Sequence, residues 1–156
     1  MHDEAQYRRG VGVMLINGDG QVWVGRRIDN PTDAWQMPQG GMDKGEEPWA
    51  TALRELEEET GIAPDQVELI AESPERLRYD LPEELMGKFW KGRFRGQLQN
   101  WFLCRFSGTD EDVNIGTEHP EFDAWKWVEP ELLPELIVPF KREMYQHLLR
   151  MFGDFL

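Results

Sequence analysis

Cysteine is nearly missing: Cys104 is the only one in 156 residues. No internal disulfide can form, and no multi-cysteine zinc site can be built. The lone thiol fits a reducing cytoplasm and reads as a core residue. Histidine is scarce too, and His119 and His147 show no metal-ligand spacing, so both read as incidental. No stretch approaches the roughly 18 consecutive apolar residues of a membrane-spanning helix. The opening Met1-His2-Asp3-Glu4 is polar and acidic, without the apolar region of a secretory signal. A cytoplasmic chain with no membrane partner is therefore expected. Positive charge is in short supply, with 17 Lys and Arg against 30 Asp and Glu, a net charge of −13. Such a chain is not expected to coat duplex DNA, or nucleic acid generally, without selectivity. Internal repeats and low-complexity tracts are lacking as well.

Apolar residues, by contrast, make up 40% of the chain and aromatics 12%, with seven Trp, which excludes a disordered polypeptide. The length suits one domain spanning 1–156 that buries about two thirds of its unfolded surface. An apolar run at 11–16 predicts a buried strand. Asn17-Gly18-Asp19-Gly20 predicts a turn, and 21–27 the second strand of a hairpin. Residues 29–46, with their Pro and Gly, read as a loop. Pro48 suits a first helical turn and Gly61 a C-cap, so one helix of about 13 residues is predicted between them. Further strands are predicted at 67–72, 77–81, 98–106 and 122–128. A last helix is predicted over 139–152, where Phe140, Met144, Leu148 and Phe152 form an apolar stripe. Trp35, Trp101, Trp125 and Trp127 read as core. This order of elements is that of an α/β protein.

Charge is unevenly placed. From 86 to 109 there is no Asp or Glu, while Lys88, Lys91, Arg93, Arg95 and Arg105 are all cationic. The opposite imbalance lies at 46–59, where Glu46, Glu47, Glu55, Glu57, Glu58 and Glu59 face only Arg54. Within the predicted helix, Trp49, Ala52, Leu53 and Leu56 fall on one stripe. Glu55, Glu58 and Glu59 share another, its centre turned about 110° away. One side of the helix packs and three carboxylates line its shoulder. Like charges at i, i+4 repel, and a hard divalent cation would relieve them, Mg²⁺ favouring carboxylates with waters and phosphate oxygens. A solvated acidic face is the alternative that helix geometry alone leaves open.

Residues 40–62 read G-GMDKG-E-EPWATAL-RE-L-E-EE-T-GI. They fit G-x5-E-x7-R-E-U-x-E-E-x-G-U, with U a bulky aliphatic, at Gly40, Glu46, Arg54, Glu55, Leu56, Glu58, Glu59, Gly61 and Ile62. With roughly one chance in ten at each fixed position and one in three at each aliphatic, a random match is on the order of 10⁻⁶. The segment resembles the Nudix box, with no motif position departing. The resemblance implies an α/β/α sandwich around a mixed β-sheet. It also implies hydrolysis of a nucleoside diphosphate linked to another group, with Mg²⁺ or Mn²⁺, two or more ions acting when substrate is bound. It assigns Glu55, Glu58 and Glu59 to the metal, with the Gly40 carbonyl completing the shell, and gives Glu46 and Arg54 the task of bracing the loop and orienting carboxylates. Which glutamate is the general base varies across the family and stays open.

Outside the box, Tyr7-Arg8, Arg26-Arg27, the 35–41 segment, 77–82, 99–103, 120–125 and Phe140-Lys141-Arg142 look like the bacterial RNA 5′ pyrophosphohydrolases. The same pattern is similar to diadenosine tetraphosphate hydrolases, and the 90–97 segment looks more like their invasion-associated group. The implied substrate is 5′-triphosphorylated RNA, placing the chain at the start of mRNA decay. The alternative is diadenosine tetraphosphate, cleaved to ATP and AMP. By this resemblance Glu121 is a further metal-proximal carboxylate. Arg27 and Phe140 sandwich a base, and Arg8, Gln39, Arg78, Tyr79, Lys88 and Lys141 contact substrate. Arg93 and Arg95 would guide the rest of an RNA chain or a distal phosphate. Dependence on an activating protein is left open.

Overall fold

The computed structural model describes residues 4–29 and 33–156. Residues 1–3, part of the acidic start, and 30–32, part of the predicted 29–46 loop, lie outside that description. The centre of the molecule is a pair of parallel strands, β1 (Tyr7–Ile16) and β7 (Gly96–Phe106), matched from Tyr7↔Gly96 to Ile16↔Arg105. Every other pairing is antiparallel, so the sheet is mixed. Strand β2 (Val22–Arg27) leaves the Asn17–Gly20 turn and meets β1 only at Ile16↔Val22. It then pairs with β3 (Trp35–Gln36) and β8 (Phe122–Val128). The first half of β1 is thereby free to pair with β4 (Gln39–Gly41). On its far edge β7 carries β5 (Val67–Glu72) and β6 (Leu77–Asp80).

Alternation along the central strands sends successive side chains to opposite faces. Val11, Val13 and Leu15, with Phe102 and Cys104, face helix α1 (Pro48–Thr60) through Ala52 and Leu56. Met14 and Ile16, with Trp101 and Leu103, face helix α3 (Arg142–Phe152) through Met144, Tyr145, Leu148 and Phe152. The sheet is therefore covered on both faces, the α/β/α sandwich expected. The short helix α2 (Leu133–Leu136), with Pro134 in its first turn, adds Leu133 to the α3 side.

Three expectations are corrected. The 29–46 stretch contains strands β3 and β4. Local Pro and Gly signals read as loop, but pairing with β2 and β1 supplies backbone partners that local propensity does not register. Residues 139–141 form a 3₁₀ turn ahead of α3, so Phe140 leaves the buried stripe and stands half-buried beside Tyr79, ring centroids 5.8 Å apart. Of the four tryptophans read as core, only Trp101 is fully enclosed. Trp35, Trp125 and Trp127 are half-buried at the flank, and the deepest indole is Trp23, between Phe122 and Trp125.

Cys104 has no solvent exposure, and burial pushes its thiol up to about 12. The native protein is expected not to release chromophore from an aromatic disulfide reagent at pH 8, and to release one equivalent per chain once denaturant is added. Absorbance in the two conditions measures this.

Candidate active site

Helix α1 begins with Pro48, whose missing N–H costs nothing in a first turn. It ends at Gly61, which takes φ 76° and returns its N–H to the Glu57 carbonyl. The helix packs through Ala52 and Leu56, and this rotation grades the exposure of its carboxylates. The Glu58 side chain is 58% exposed, that of Glu55 16%, and Glu59 as a residue only 3%. Arg54 binds them into a network. Its Nε and Nη2 donate to the two oxygens of Glu46 at 2.7 and 2.8 Å, a bidentate pair. Its Nη1 donates to Glu55 at 3.0 Å and to Glu58 at 3.2 Å, and Nη2 also donates to the Gly41 carbonyl at 3.2 Å. The Arg54 guanidinium and the Asp43 N–H hold the Glu46 carboxyl down at about 2.

The inner carboxylates behave in the opposite way. Burial, against the pull of Arg54, pushes Glu55 up to about 7, with Glu58 and Glu121 adding repulsion. Burial raises Glu59 further, and Glu55 and Glu121 again repel it. Glu59 Oε2 has no hydrogen-bond partner. A buried, partly orphaned carboxylate facing like charges is costly in isolation and suited to a cation. Gly40 stands opposite. A Cβ there would lie 2.2 Å from the Glu55 carboxyl, so only glycine leaves that carboxylate its place. These oxygen donors fit a hard divalent ion. Among the described residues no three acidic, histidine or cysteine side chains converge as a ready-made cage, and Arg54 is bonded to Glu55 and Glu58.

Arg27 and Lys141 lie close enough to Glu59 to interact with its charge. Arg27 pairs with both oxygens of Asp29 at 2.8 Å and reaches Glu121 at 3.5 Å. Lys141 is only 7% exposed, and burial, with Arg27 nearby, lowers its ammonium to about 8. It stands 4.8 Å from the Tyr79 ring and 5.9 Å from the Phe140 ring. The Arg8 guanidinium lies against Gly41 and over the Trp90 ring. Lys88 is exposed on the 86–94 loop. Arg78, Tyr79 and Phe140 line a cavity of about 580 Å³ that includes none of Glu55, Glu58, Glu59 or Arg27. Arg27 and Phe140 make no cation–π contact, since Arg27 turns to Asp29 and Phe140 to Tyr79.

Sequence reasoning missed Asp29 and a buried row of amides. The Trp101 indole, a donor only, donates to Gln99 Oε1 at 2.9 Å. The Gln99 amide then donates to Gln39 Oε1 and to Gln97 Oε1, each at 2.7 Å. Gln39 is thereby fixed at the site's edge, and its backbone N–H supports Glu59. Gln at alternate positions inside an aromatic strand was the available signal.

The NUDIX domain model matches residues 6–148. The chain belongs to the Nudix family. This Nudix protein is 59% identical over 146 residues to an RNA pyrophosphohydrolase of Roseobacter denitrificans, covering 94% of this chain and 91% of the relative. It is 56% identical over 153 residues to an RNA pyrophosphohydrolase of Erythrobacter litoralis, covering 97% and 93%. Among solved structures, a C. elegans Ap4A hydrolase binary complex superposes with TM-score 0.71 at 25% identity, covering 95% of this chain and 96% of that one. The E. coli dihydroneopterin triphosphate pyrophosphohydrolase gives TM-score 0.71 at 22% identity, covering 90% and 95%, and supports the fold alone.

Proposed function

We propose that this Nudix protein removes pyrophosphate from the 5′ end of triphosphorylated RNA, leaving a 5′-monophosphate and so opening transcripts to decay in the cytoplasm. The observation that carries the reading is the identity above 55%, over more than nine tenths of both chains, with relatives named RNA pyrophosphohydrolase. The chemistry of the site agrees. Glu55, Glu58, Glu59, Glu121 and the Gly40 carbonyl would hold Mg²⁺ or Mn²⁺, which when bound would supply charge neutralisation at the polyphosphate and a more acidic water. The chain's own residues do the rest. Arg54 orients Glu55 and Glu58 from a rigid seat on Glu46. Arg8, Lys88 and Lys141 offset the remaining phosphate charge. Water attacks one phosphorus of the α–β anhydride and a carboxylate of the set accepts its proton; the bridging oxygen departs with the other phosphorus, on pyrophosphate after attack at the α position or on the RNA 5′-monophosphate after attack at the β position. Arg27, Gln39, Arg78, Tyr79 and Phe140 receive the nucleotide. For Arg27 and Phe140 to enclose a base, Arg27 must exchange Asp29 for substrate.

The test is a competition between a short 5′-triphosphate RNA and diadenosine tetraphosphate at equal concentration with Mg²⁺. Pyrophosphate released faster from the RNA is the expected result. Faster formation of ATP and AMP would replace this reading with dinucleoside polyphosphate hydrolysis, the activity named for the C. elegans neighbour. The metal assignment has its own check in Gly40→Ala, where the added Cβ displaces the Glu55 carboxyl. Calorimetric titration is expected to show Mg²⁺ binding weakened about tenfold, a loss of roughly 1.4 kcal/mol, with the circular dichroism spectrum unchanged.

A further inference from the structure

The acid-free stretch from 86 onward has a structural form of which the triphosphate chemistry uses Lys88 alone. After the acidic turn Glu83–Leu85, the chain runs outward as the 86–94 loop and returns at Arg95. Met86, Lys88, Phe89, Lys91 and Arg93 are all exposed there. Phe89, 43% exposed, packs against Trp90 with ring centroids 6.0 Å apart, and Trp90 meets Phe94 edge-on at 6.1 Å. Trp90 and Lys91 hold φ of 52° and 57°, a region that residues with a Cβ seldom enter, between Gly87 and Gly92, also at positive φ. The loop is thus held in an unfavourable shape that displays aromatic faces and cations together. Arg95 does not share in the display. It turns back to Asp80 at 3.8 Å and Gln6 at 3.4 Å and braces the loop.

One side chain joins this loop to the carboxylate site. The Arg8 guanidinium lies 5.8 Å from the Trp90 ring centroid on one side, and on the other it fills the space a Cβ on Gly41 would need. A chain whose 5′ phosphates reach Arg8 is thereby beside Trp90 of the loop. Exposed rings interleaved with cations are what unpaired nucleotides require. Bases stack on any aromatic face, and backbone phosphates take the positive charge. In a protein of net charge −13, such a local excess also gives a polyanion one place to land.

We propose that the 86–94 loop is the binding surface for the single-stranded RNA behind the triphosphate, with a base on Phe89 and backbone phosphates at Lys91 and Arg93. This rests on the RNA reading above, and its test separates the two. The first measurement is kcat/KM for a 5′-triphosphate ten-nucleotide RNA divided by that for a 5′-triphosphate dinucleotide. The ratio is expected to exceed about ten in the parent and to fall to near one in Phe89→Ala and in Lys91→Ala/Arg93→Ala. The second is fluorescence anisotropy of a 5′-hydroxyl ten-nucleotide RNA, which needs no turnover. Affinity is expected to fall about tenfold in Phe89→Ala. In the double variant the slope of log affinity against log salt should shrink by about 1.4 for two lost phosphate contacts. Circular dichroism and retained cleavage of the dinucleotide certify the variants' folding. A length ratio near one in the parent, or a ratio and affinity untouched by the substitutions, would overturn the proposal while leaving the RNA activity standing. Loop-dependent binding without RNA cleavage would overturn the activity and keep the surface. Loss of diadenosine tetraphosphate turnover alone would reassign the loop to a second nucleoside.

Discussion

The Glu59→Gln protein is expected to hydrolyse its substrate about 10³-fold more slowly than the parent, and to melt at a higher temperature when both are free of metal. A thousandfold loss corresponds to about 4 kcal/mol at the transition state, the scale expected when one buried charge of an electrostatic site is removed. The gain in stability has the same origin. Glu59 is 3% exposed, its Oε2 lacks a partner, and Glu55 and Glu121 repel it. An amide keeps the bond from the Gln39 N–H and replaces the orphan oxygen with a donor facing two carboxylates. The sign in pH follows from the raised carboxyl. Stability tied to the protonated form is fully present below the ordinary carboxyl value of 4.5 and is lost as the pH rises through the higher folded value. The advantage of Glu59→Gln should therefore be largest at neutral pH and vanish toward pH 4. Thermal denaturation in EDTA across that range measures it, and an unfolding midpoint at or below the parent's at pH 7 would refute it.

Glu58→Gln supplies the contrast. A similar kinetic loss is expected, of several orders of magnitude, with the fold intact and little change in melting temperature. The Glu58 side chain is 58% exposed and its partner Arg54 keeps Glu46 and Glu55. Near-normal turnover in this variant would remove Glu58 from the metal. Mg²⁺ should raise the melting temperature of the parent and do so far less in either variant, because only a ligand that binds the native state shifts the midpoint. Together the two substitutions separate what a carboxylate does for catalysis from what its burial does to the fold.

The carboxylate helix was legible in the sequence because its information is local. Spacing at i, i+3 and i+4 fixes the shared face, and Pro48 and Gly61 fix the ends. The grading from exposed Glu58 to buried Glu59 was not legible, since it depends on how α1 is rotated against β1, a non-local fact. Strands β3 and β4 were hidden for the same reason, their pairing partners lying from 9 to 31 residues away in sequence. Arg27 shows the limit for function. Its residue type suits a base or a phosphate, yet Asp29, two positions on, holds it at 2.8 Å by a contact that no periodicity announces. Phe140 shows the reverse error, a stripe of period four extended one turn too early into a 3₁₀ segment.

Gly12→Ala is expected to lower the melting temperature by about 10 °C or more, or to leave the protein insoluble. In the parallel pairing of β1 and β7, Gly12 lies beside Trp101, and a Cβ on it would sit 2.3 Å from the indole ring. The ring cannot withdraw. It is 1% exposed, packs edge-on against Tyr145 at 6.0 Å, and is fixed by its bond to Gln99. Overpacking of this kind costs about 3 kcal/mol or more where nothing can yield, out of a total stability of roughly 5–15 kcal/mol. For a chain of this length each kcal/mol is worth about 2–4 °C. Gly18→Ala, at a turn position with nothing within 4 Å, should melt with the parent. Trp101→Leu in the Gly12→Ala background should recover part of the loss, and the double-mutant cycle measures the coupling directly. The recovered protein is expected to remain slow. Without the indole donor the Gln99 amide is no longer held in one orientation, and Gln39, whose N–H supports Glu59, loses its anchor. Stability restored with activity restored would show that the amide row fills space and does not position the site.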